Sequence, residues 1–524
     1  MRSRLPAFLA LALTFVSAQF AAGSADSRHV LVVVWDGMRP DFVTAATTPN
    51  LWRLAQRGVF FAHHHPVYLS ATEVNGTAIA TGAYPAHSFV IANSDFRPPI
   101  DPQKEIAIED PATIRRGDEV SAGHYLGAPT VAEILHAHGV PTIIAGSKQV
   151  ALLHDRARRP NDPGVSPVLY EGAVLPPRLE DPLAAALGPF PPIAKRQDKI
   201  ARDAWTTQAL LSQLWRGGVP PYSLLWLAEP DFSQHATGPG SEQSLEAIKS
   251  SDTNLGLVLA NLEKRGLLDT TDVMVVSDHG FSTVGRKVDV AVELSKGGFA
   301  ATRVALGGLQ SGSVLAISNG GSTLLYVGGH EADVCRRLAA FLQQQDWAGV
   351  IFSREPLDGT FPLADAHIDS PQAPDFVLSL RWSRDRSANG TPGLQVSDLS
   401  PKAKKEGNHA SLSAYDMHNT LVATGPDFRG GVTDTLPSAN TDLAPTILWL
   451  LGFHAEAAKM DGRVLSEALD VGDAPALKSY EVKRLTARHE GAGGVWEQYL
   501  QVSEVNGVRY LDEGNGELRP QPSS

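Results

Sequence analysis

The chain has 524 residues, 43% of them hydrophobic and 19% charged, so it can bury a large core and is not a disordered protein. Its formal net charge is −12 and it has no long basic run, which argues against a nucleic-acid polymer as the main partner. Small anionic substrates stay open where a local metal charge overrides the global field.

At the start, Arg2 and Arg4 precede the apolar run Leu5 to Val16, and the small residues around Val16-Ser17-Ala18 suit signal-peptidase cleavage. The run is too short for a comfortable membrane span. This predicts a secretory signal over residues 1–25, no membrane span in the mature chain, and a periplasmic or secreted location. The single cysteine, Cys335, rules out an intrachain disulfide.

His29 to Gly37 reads HVLVVVWDG, a strand buried on both faces that ends on Asp36. Thr48-Pro49 then opens a helical stretch, which together make the βα unit of a parallel sheet. His63, His64 and His65 follow. Consecutive side chains of an extended segment point different ways and cannot easily share one ion, so these read as solvated loop histidines.

Thr72 lies in a predicted loop before a small-residue helix over 75–81, where its hydroxyl can meet the sheet edge among helix N–H groups. A threonine hydroxyl is inert at neutral pH unless its pKa is lowered, and a bound metal does this without a histidine base. The same position also suits a helix-capping threonine. Residues 95–127 read as an excursion over the active-site face, and Pro160 to Pro192 as a lid or surface loop. Between them the predicted strand 141–146 leads to Lys148.

The predicted strand 223–228 precedes Asp231, and His235 follows four residues later in a Gly-Pro-containing segment, so one loop could deliver both. The second long buried strand, in VMVVSDHG, ends on Asp278 and His279. In open α/β sheets ligands bind at that edge, and a carboxylate beside an imidazole suits zinc. Ser313 to Val327 and Phe376 to Trp382 read as strands and Glu331 to Gln345 as a helix. Gly407-Asn408-His409 precedes a predicted loop, whereas His418 enters the apolar stretch 420–423. Near the end, two runs flank Asn506-Gly507 and predict a hairpin followed by a polar tail.

Asp36 in WDG, Thr72 before the helix ending in ATGAYP, Asp231 with His235, Ser277-Asp278-His279-Gly280 and Gly407-Asn408-His409 together resemble the alkaline phosphatase superfamily, in its type I phosphodiesterase/nucleotide pyrophosphatase-like branch. Thr441 to Thr446 and Asp461-Gly462-Arg463 resemble the segment that closes this core. The resemblance implies a three-layer α/β/α fold with a mostly parallel central sheet and an inserted cap. The expected divisions are a core over 26–284 and 406–470, a cap over 285–405, and a C-terminal hairpin and tail over 471–524.

Carried over by position, the resemblance implies two zinc ions. Asp36, Thr72, Asp278 and His279 match the ligands of one; Asp231, His235 and His409 match those of the other. Asn93, 21 residues after Thr72, matches a phosphate-binding asparagine, though a turn-forming role also fits it. Thr72 would attack phosphorus in line and form a phosphothreonine. Glu73 departs from the family, whose nucleotide-handling members usually place an aromatic residue there, and a carboxylate repels phosphate. Lys148 matches a lysine of phosphomonoesterase and phosphonoacetate hydrolase relatives, but the second basic residue usual two positions later is Val150 here. Lys148 is thus a substrate contact or a solvated surface lysine.

The expected activity is a secreted zinc phosphodiesterase or pyrophosphatase acting on a small phosphate ester. Alternatives are a phosphomonoesterase or phosphonate hydrolase on the same core, and a non-catalytic metal- or ligand-binding protein, from which metal content would separate it. A sulfatase is disfavoured, because the nucleophile position lacks the Cys or Ser motif that makes formylglycine.

Overall fold

The computed structural model describes residues 28–156, 166–192, 198–470, 480–491 and 493–519. The expected signal over 1–25 and the polar tail past 519 lie outside the described residues.

Strand His29–Trp35 is the middle of a nine-stranded sheet. It pairs in parallel with Tyr222–Leu227 on one side and Thr271–Val276 on the other, and Thr142–Gly146 pairs in parallel beyond Tyr222–Leu227. Strand Leu421–Thr424 runs antiparallel between Thr271–Val276 and Val59–His65, so the sheet is mixed but mostly parallel.

The unbroken apolar runs follow from burial on both faces. Val30, Val32 and Val34 pack with Val74, Ala78 and Ile79 of helix Thr72–Thr81. The alternate residues Leu31, Val33 and Trp35 pack with Leu255, Val258 and Leu262 of helix Glu242–Lys264 and with Leu210 of helix Asp198–Ser212. Each such valine or leucine contributes roughly 1.5–3 kcal/mol by leaving water. The result is the three-layer α/β/α arrangement expected from the sequence.

Because four neighbouring strands run the same way, they end on one edge. Asp36, Lys148, Asp231 and Asp278 follow those four strand ends directly or within a few residues.

Two local expectations are corrected. The histidine run is not a solvated loop. It completes strand Val59–His65, which pairs in parallel with Val432–Ala439, and only His63 is exposed. His64 is buried because Ser438 Oγ and Asn440 Oδ1 lie at 2.9 and 3.0 Å from its two ring nitrogens, so its polar atoms are satisfied inside.

The described part of 160–192 is likewise ordered. Val168–Tyr170 and Ala173–Leu175 add two strands to the main sheet, and Glu180–Leu187 is helical. The positive φ of Glu171 and Gly172, 45° and 86°, closes the hairpin between those strands.

Within 301–380 a separate six-stranded sheet includes Val314–Ser318, Ser322–Val327, Phe376–Leu380 and Ala348–Ser353, with helix Ala332–Leu342 in the same stretch. A four-stranded sheet joins Ser282–Val288 and Pro392–Asp398 to Gly407–Asn408 and so leads straight into His409. Strands Gly494–Val505 and Val508–Arg519 pair antiparallel across Asn506-Gly507, and Tyr480–Gly491 adds a third strand.

Beneath the sheet edge, buried His154 meets Trp226 edge-on at 5.8 Å, and its Nε2 has no hydrogen-bond partner among the described residues. Burial lowers its pKa from 6.5 to about 3. As pH falls below 6.5 the unfolded chain binds this proton first, so stability is lost between 6.5 and about 3. His154→Phe is expected to flatten that acid-side loss relative to the unchanged chain, measured as denaturation midpoints across the pH range. An identical slope in both proteins would count against it.

Candidate active site

Helix Thr72–Thr81 starts three residues earlier than the sequence suggested, with Thr72 in its first turn. Asn75 fixes that start. Its Oδ1 accepts from Val67 N at 2.8 Å, and its Nδ2 reaches the carbonyls of Val67, Leu69 and Ala71 at 3.1–3.2 Å. The turn before the hydroxyl is thereby held by a side chain of the helix it opens. Gly76 allows the close seat of this helix, since a Cβ there would stand 2.6 Å from Val150 Cγ2.

Asp231 and His235 sit on helix Asp231–Thr237 and not on a loop. Pro230 and Gly238 bound the helix and suggest irregular chain, but the four-residue spacing puts both side chains on one face.

These elements converge on two groups able to hold a metal ion, Asp231/His235/His409 and Asp36/Asp231/His279. Asp231 Oδ1 stands 3.2 Å from His235 Nε2 and 3.6 Å from His409 Nε2. His279 Nε2 stands 3.5 Å from Asp36 Oδ1, 3.3 Å from Asp278 Oδ2 and 3.2 Å from Thr72 Oγ1. Asp231 therefore belongs to both groups, and Asp278 reaches the second through His279.

The donor set fits cation binding. Asp36 Oδ1, Asp231 Oδ1 and Asp278 Oδ2 are buried and have no hydrogen-bond partner among the described residues. Each histidine points Nδ1 at a backbone carbonyl: His279 at Gly280 O (2.9 Å), His235 at Gly407 O (3.0 Å) and His409 at Ser70 O (2.9 Å). A proton on each Nδ1 leaves the Nε2 lone pair free to ligate. The rings of His279 and His409 stack 3.7 Å apart, and Phe281 lies against His235 and His409 at 4.9 and 5.4 Å.

Electrostatics agree. Burial, then repulsion from Asp278, holds Asp36 well above the usual carboxylate range, and burial raises Asp278 to about 7. Burial also works to raise Asp231, but Lys148 and His235 draw it well below. Burial lowers His409, His235 and His279, so the neutral imidazole is favoured in each. Crowded carboxylates beside neutral imidazoles are short of positive charge, which a divalent cation would supply.

Lys148 is no surface residue. Its side chain is 11% exposed, and Nζ lies 2.8 Å from Asp36 Oδ2 and 3.3 Å from Asp231 Oδ2, so it joins one carboxylate of each group. Trp226 Nε1 donates to the same Asp36 oxygen at 3.0 Å.

Asn93 Oδ1 accepts from Glu73 N at 3.1 Å, while its Nδ2 makes no hydrogen bond among the described residues. Glu73 is buried near Glu109, and burial followed by that neighbour raises it well above its ordinary value. The shift favours the uncharged acid and eases the repulsion of phosphate expected from the sequence. His418 stands apart from the groups, with Nε2 2.9 Å from Ala62 O.

Supporting residues that sequence reading missed include Asn75, Trp226 and Asn440. Asn440 Nδ2 donates to Asp278 O at 2.7 Å, beneath the histidine run.

Removing one partner of a buried ion pair costs about 3–5 kcal/mol. Lys148→Met is expected to lose stability on that scale in chelator, measured by urea unfolding, and to recover part of it when zinc is added. Unchanged stability in chelator would show that the ammonium is not needed to hold Asp36 and Asp231 together.

The type I phosphodiesterase / nucleotide pyrophosphatase family model matches residues 30–409. The chain is 22% identical over 294 residues to ectonucleotide pyrophosphatase/phosphodiesterase family member 7 of Rattus norvegicus, covering 55% of this chain and 58% of that protein. It is 20% identical over 256 residues to the bis(5'-adenosyl)-triphosphatase of Homo sapiens, covering 48% and 47%. The chain thus spans about half the length of the curated relatives it matches. In structure it is similar to human ectonucleotide pyrophosphatase / phosphodiesterase 5, with a TM-score of 0.57 and 18% identity over 81% of this chain and 95% of that one. That likeness bears on the fold, which is alkaline-phosphatase-like. No helix among the described residues is long and apolar enough to cross a membrane. By the extent of the family match, the chain belongs to the type I phosphodiesterase/nucleotide pyrophosphatase family.

Proposed function

We propose that the chain is a secreted, zinc-dependent phosphoric ester hydrolase that cleaves phosphodiesters or pyrophosphates through a phosphothreonine. The carrying observation is the position of Thr72 Oγ1, 3.2 Å from His279 Nε2 and beside two Asp/His groups that share Asp231. Asp36, Asp278 and His279, with Thr72, would hold one zinc; Asp231, His235 and His409 would hold the other. When bound, two zinc ions supply positive charge that lowers the pKa of a hydroxyl and stabilises a departing oxygen.

The chain's own part is positional. Thr72 Oγ gives up its proton to solvent and attacks phosphorus, the P–O bond to the leaving group breaks in line, the leaving oxygen takes a proton from solvent, and a covalent phosphothreonine forms. Water then attacks from the vacated side, its proton is lost to solvent, and the Thr72 oxygen departs. Asn93 donates from Nδ2 to a non-bridging oxygen while Glu73 N holds its Oδ1. The histidines keep Nδ1 protonated throughout.

The relatives favour nucleotide-type esters: one is a bis(5'-adenosyl)-triphosphatase, and a murine relative was solved in complex with AMP. Lys148 is already engaged by Asp36 and Asp231, which weighs against its serving as a free contact for a monoester dianion. The expected divisions, a core over 26–284 and 406–470 with a cap over 285–405, place the cap where it can shape substrate choice.

The test compares kcat/KM for bis(4-nitrophenyl) phosphate and 4-nitrophenyl phosphate on zinc-supplied protein. Diester preference is expected, together with loss of turnover in chelator and its return with zinc. Thr72→Ala should lower kcat by about 10³–10⁶-fold. Monoester preference would move the assignment to phosphomonoesterase, and full turnover by Thr72→Ala would remove the phosphothreonine.

A further inference from the structure

A cavity of about 600 Å³ lies where the excursion after Asn93 meets the six-stranded sheet of the 301–380 stretch. Phe96, Tyr125 and Tyr326 give it rings, and Ile100, Val120 and Leu309 give it aliphatic walls. The two layers are joined beside it, since Tyr326 Oη accepts from Phe96 N at 3.3 Å. None of the Asp/His residues lines it. Gly321 N donates to His409 O just before strand Ser322–Val327, and Tyr326 stands near the far end of that strand. At about 3.3 Å per residue, the wall at Tyr326 is about 16 Å along the strand from Gly321.

The volume and the apolar rings fit a small organic molecule, for which sites of roughly 300–1,000 Å³ with few polar groups are usual. The charges in the wall define its chemistry. Arg97 is matched, because its Nε donates to the two oxygens of Asp95 at 3.1 and 2.9 Å. Asp375 is engaged as well, accepting from Val327 N and His330 Nδ1, each at 2.7 Å. Arg354, which directly follows strand Ala348–Ser353, lines the cavity half-buried and has no ion pair among the described residues. Its Nη2 donates to Ala373 O, its Nε is buried without an acceptor, and its Nη1 makes no hydrogen bond among the described residues. A guanidinium served by a single carbonyl favours an anionic acceptor, whose charge-assisted bond is about twice as strong as a neutral one.

We propose that this cavity is a second ligand site, which takes a flat apolar monocarboxylate of two or three fused rings. The carboxylate accepts from Arg354 Nη1 while the rings fill the space among Phe96, Tyr125 and Leu309. One unmatched positive charge in a wall that also carries Asp375 suits a monoanion over a dianionic phosphate, since like charges brought together repel. The site is separate from the Asp/His groups and does not depend on the phosphodiester reading.

The experiment titrates the zinc-supplied full chain calorimetrically with 2-naphthoate and with its uncharged counterpart 2-naphthamide. The acid is expected to bind tighter than the amide by about 10- to 100-fold, the worth of one charge-assisted hydrogen bond. Arg354→Met should erase that margin and hold the amide's affinity within a few-fold. Val120→Trp adds bulk to the wall at a position 40% exposed on helix Pro111–Val120, and should weaken both ligands by about 10-fold or more at an unchanged urea midpoint. If Arg354→Met does not fold, Val120→Trp decides the location and the acid-to-amide margin decides the ligand class. Absent binding of 2-naphthoate, equal affinity for acid and amide, a margin that survives Arg354→Met, or binding that Val120→Trp leaves unchanged each overturns the site.

Discussion

Asp36, Asp231 and Asp278 are withdrawn from water within one small volume, and their mutual repulsion must be offset for the fold to persist. Carboxylates in that situation either take up protons or gather cations. The protein gathers one cation of its own, Lys148, and directs the remaining oxygens toward neutral imidazoles. Much of the surrounding architecture serves this arrangement. Trp226 donates to Asp36, Gly37 N donates to Asp278 Oδ1 at 2.9 Å, and Asn440 holds the Asp278 carbonyl.

The sheet makes this concentration of charge achievable. The parallel strands buried on both faces keep their few polar residues, such as His29, Ser223 and Asp272, near their starts and are apolar from there on, so the acids of the site stand where the strands end. A rigid, doubly covered sheet resists the displacement by which three repelling carboxylates would otherwise separate. The helix bearing Thr72 packs on one face of the same sheet, which brings the hydroxyl to the Asp/His groups as part of the core and not on a mobile loop.

Features written into contiguous sequence were legible in advance. A hydrophobic run stopping at Asp36, or at Asp278-His279, announces both the strand and the sheet edge where the site lies; the runs point to a parallel α/β sheet, while the three-layer fold came from the family resemblance. Local conformation was less legible where punctuation residues misled. Pro230 and Gly238-Pro239 suggested a loop around what is a short helix, and three polar histidines in a row concealed the end of a strand whose partners lie hundreds of residues away. Least legible were roles set by tertiary contact alone. Lys148 meets carboxylates 112 and 83 positions distant, and Glu73 is raised by burial and then by Glu109, so no local pattern could reveal either.

The three histidines of the Asp/His groups owe their orientation to the main-chain carbonyls of Ser70, Gly280 and Gly407. A carbonyl is present whatever side chain its residue carries, so the tautomer of each imidazole is insulated from most substitutions nearby. Gly280 is an exception for steric reasons, since a Cβ there would fall 2.0 Å from Tyr415 O. Neighbouring side chains such as Glu73 can therefore be exchanged without disturbing how the imidazoles present their lone pairs. The site thus separates the part of its chemistry that inheritance must keep from the part that it is free to vary.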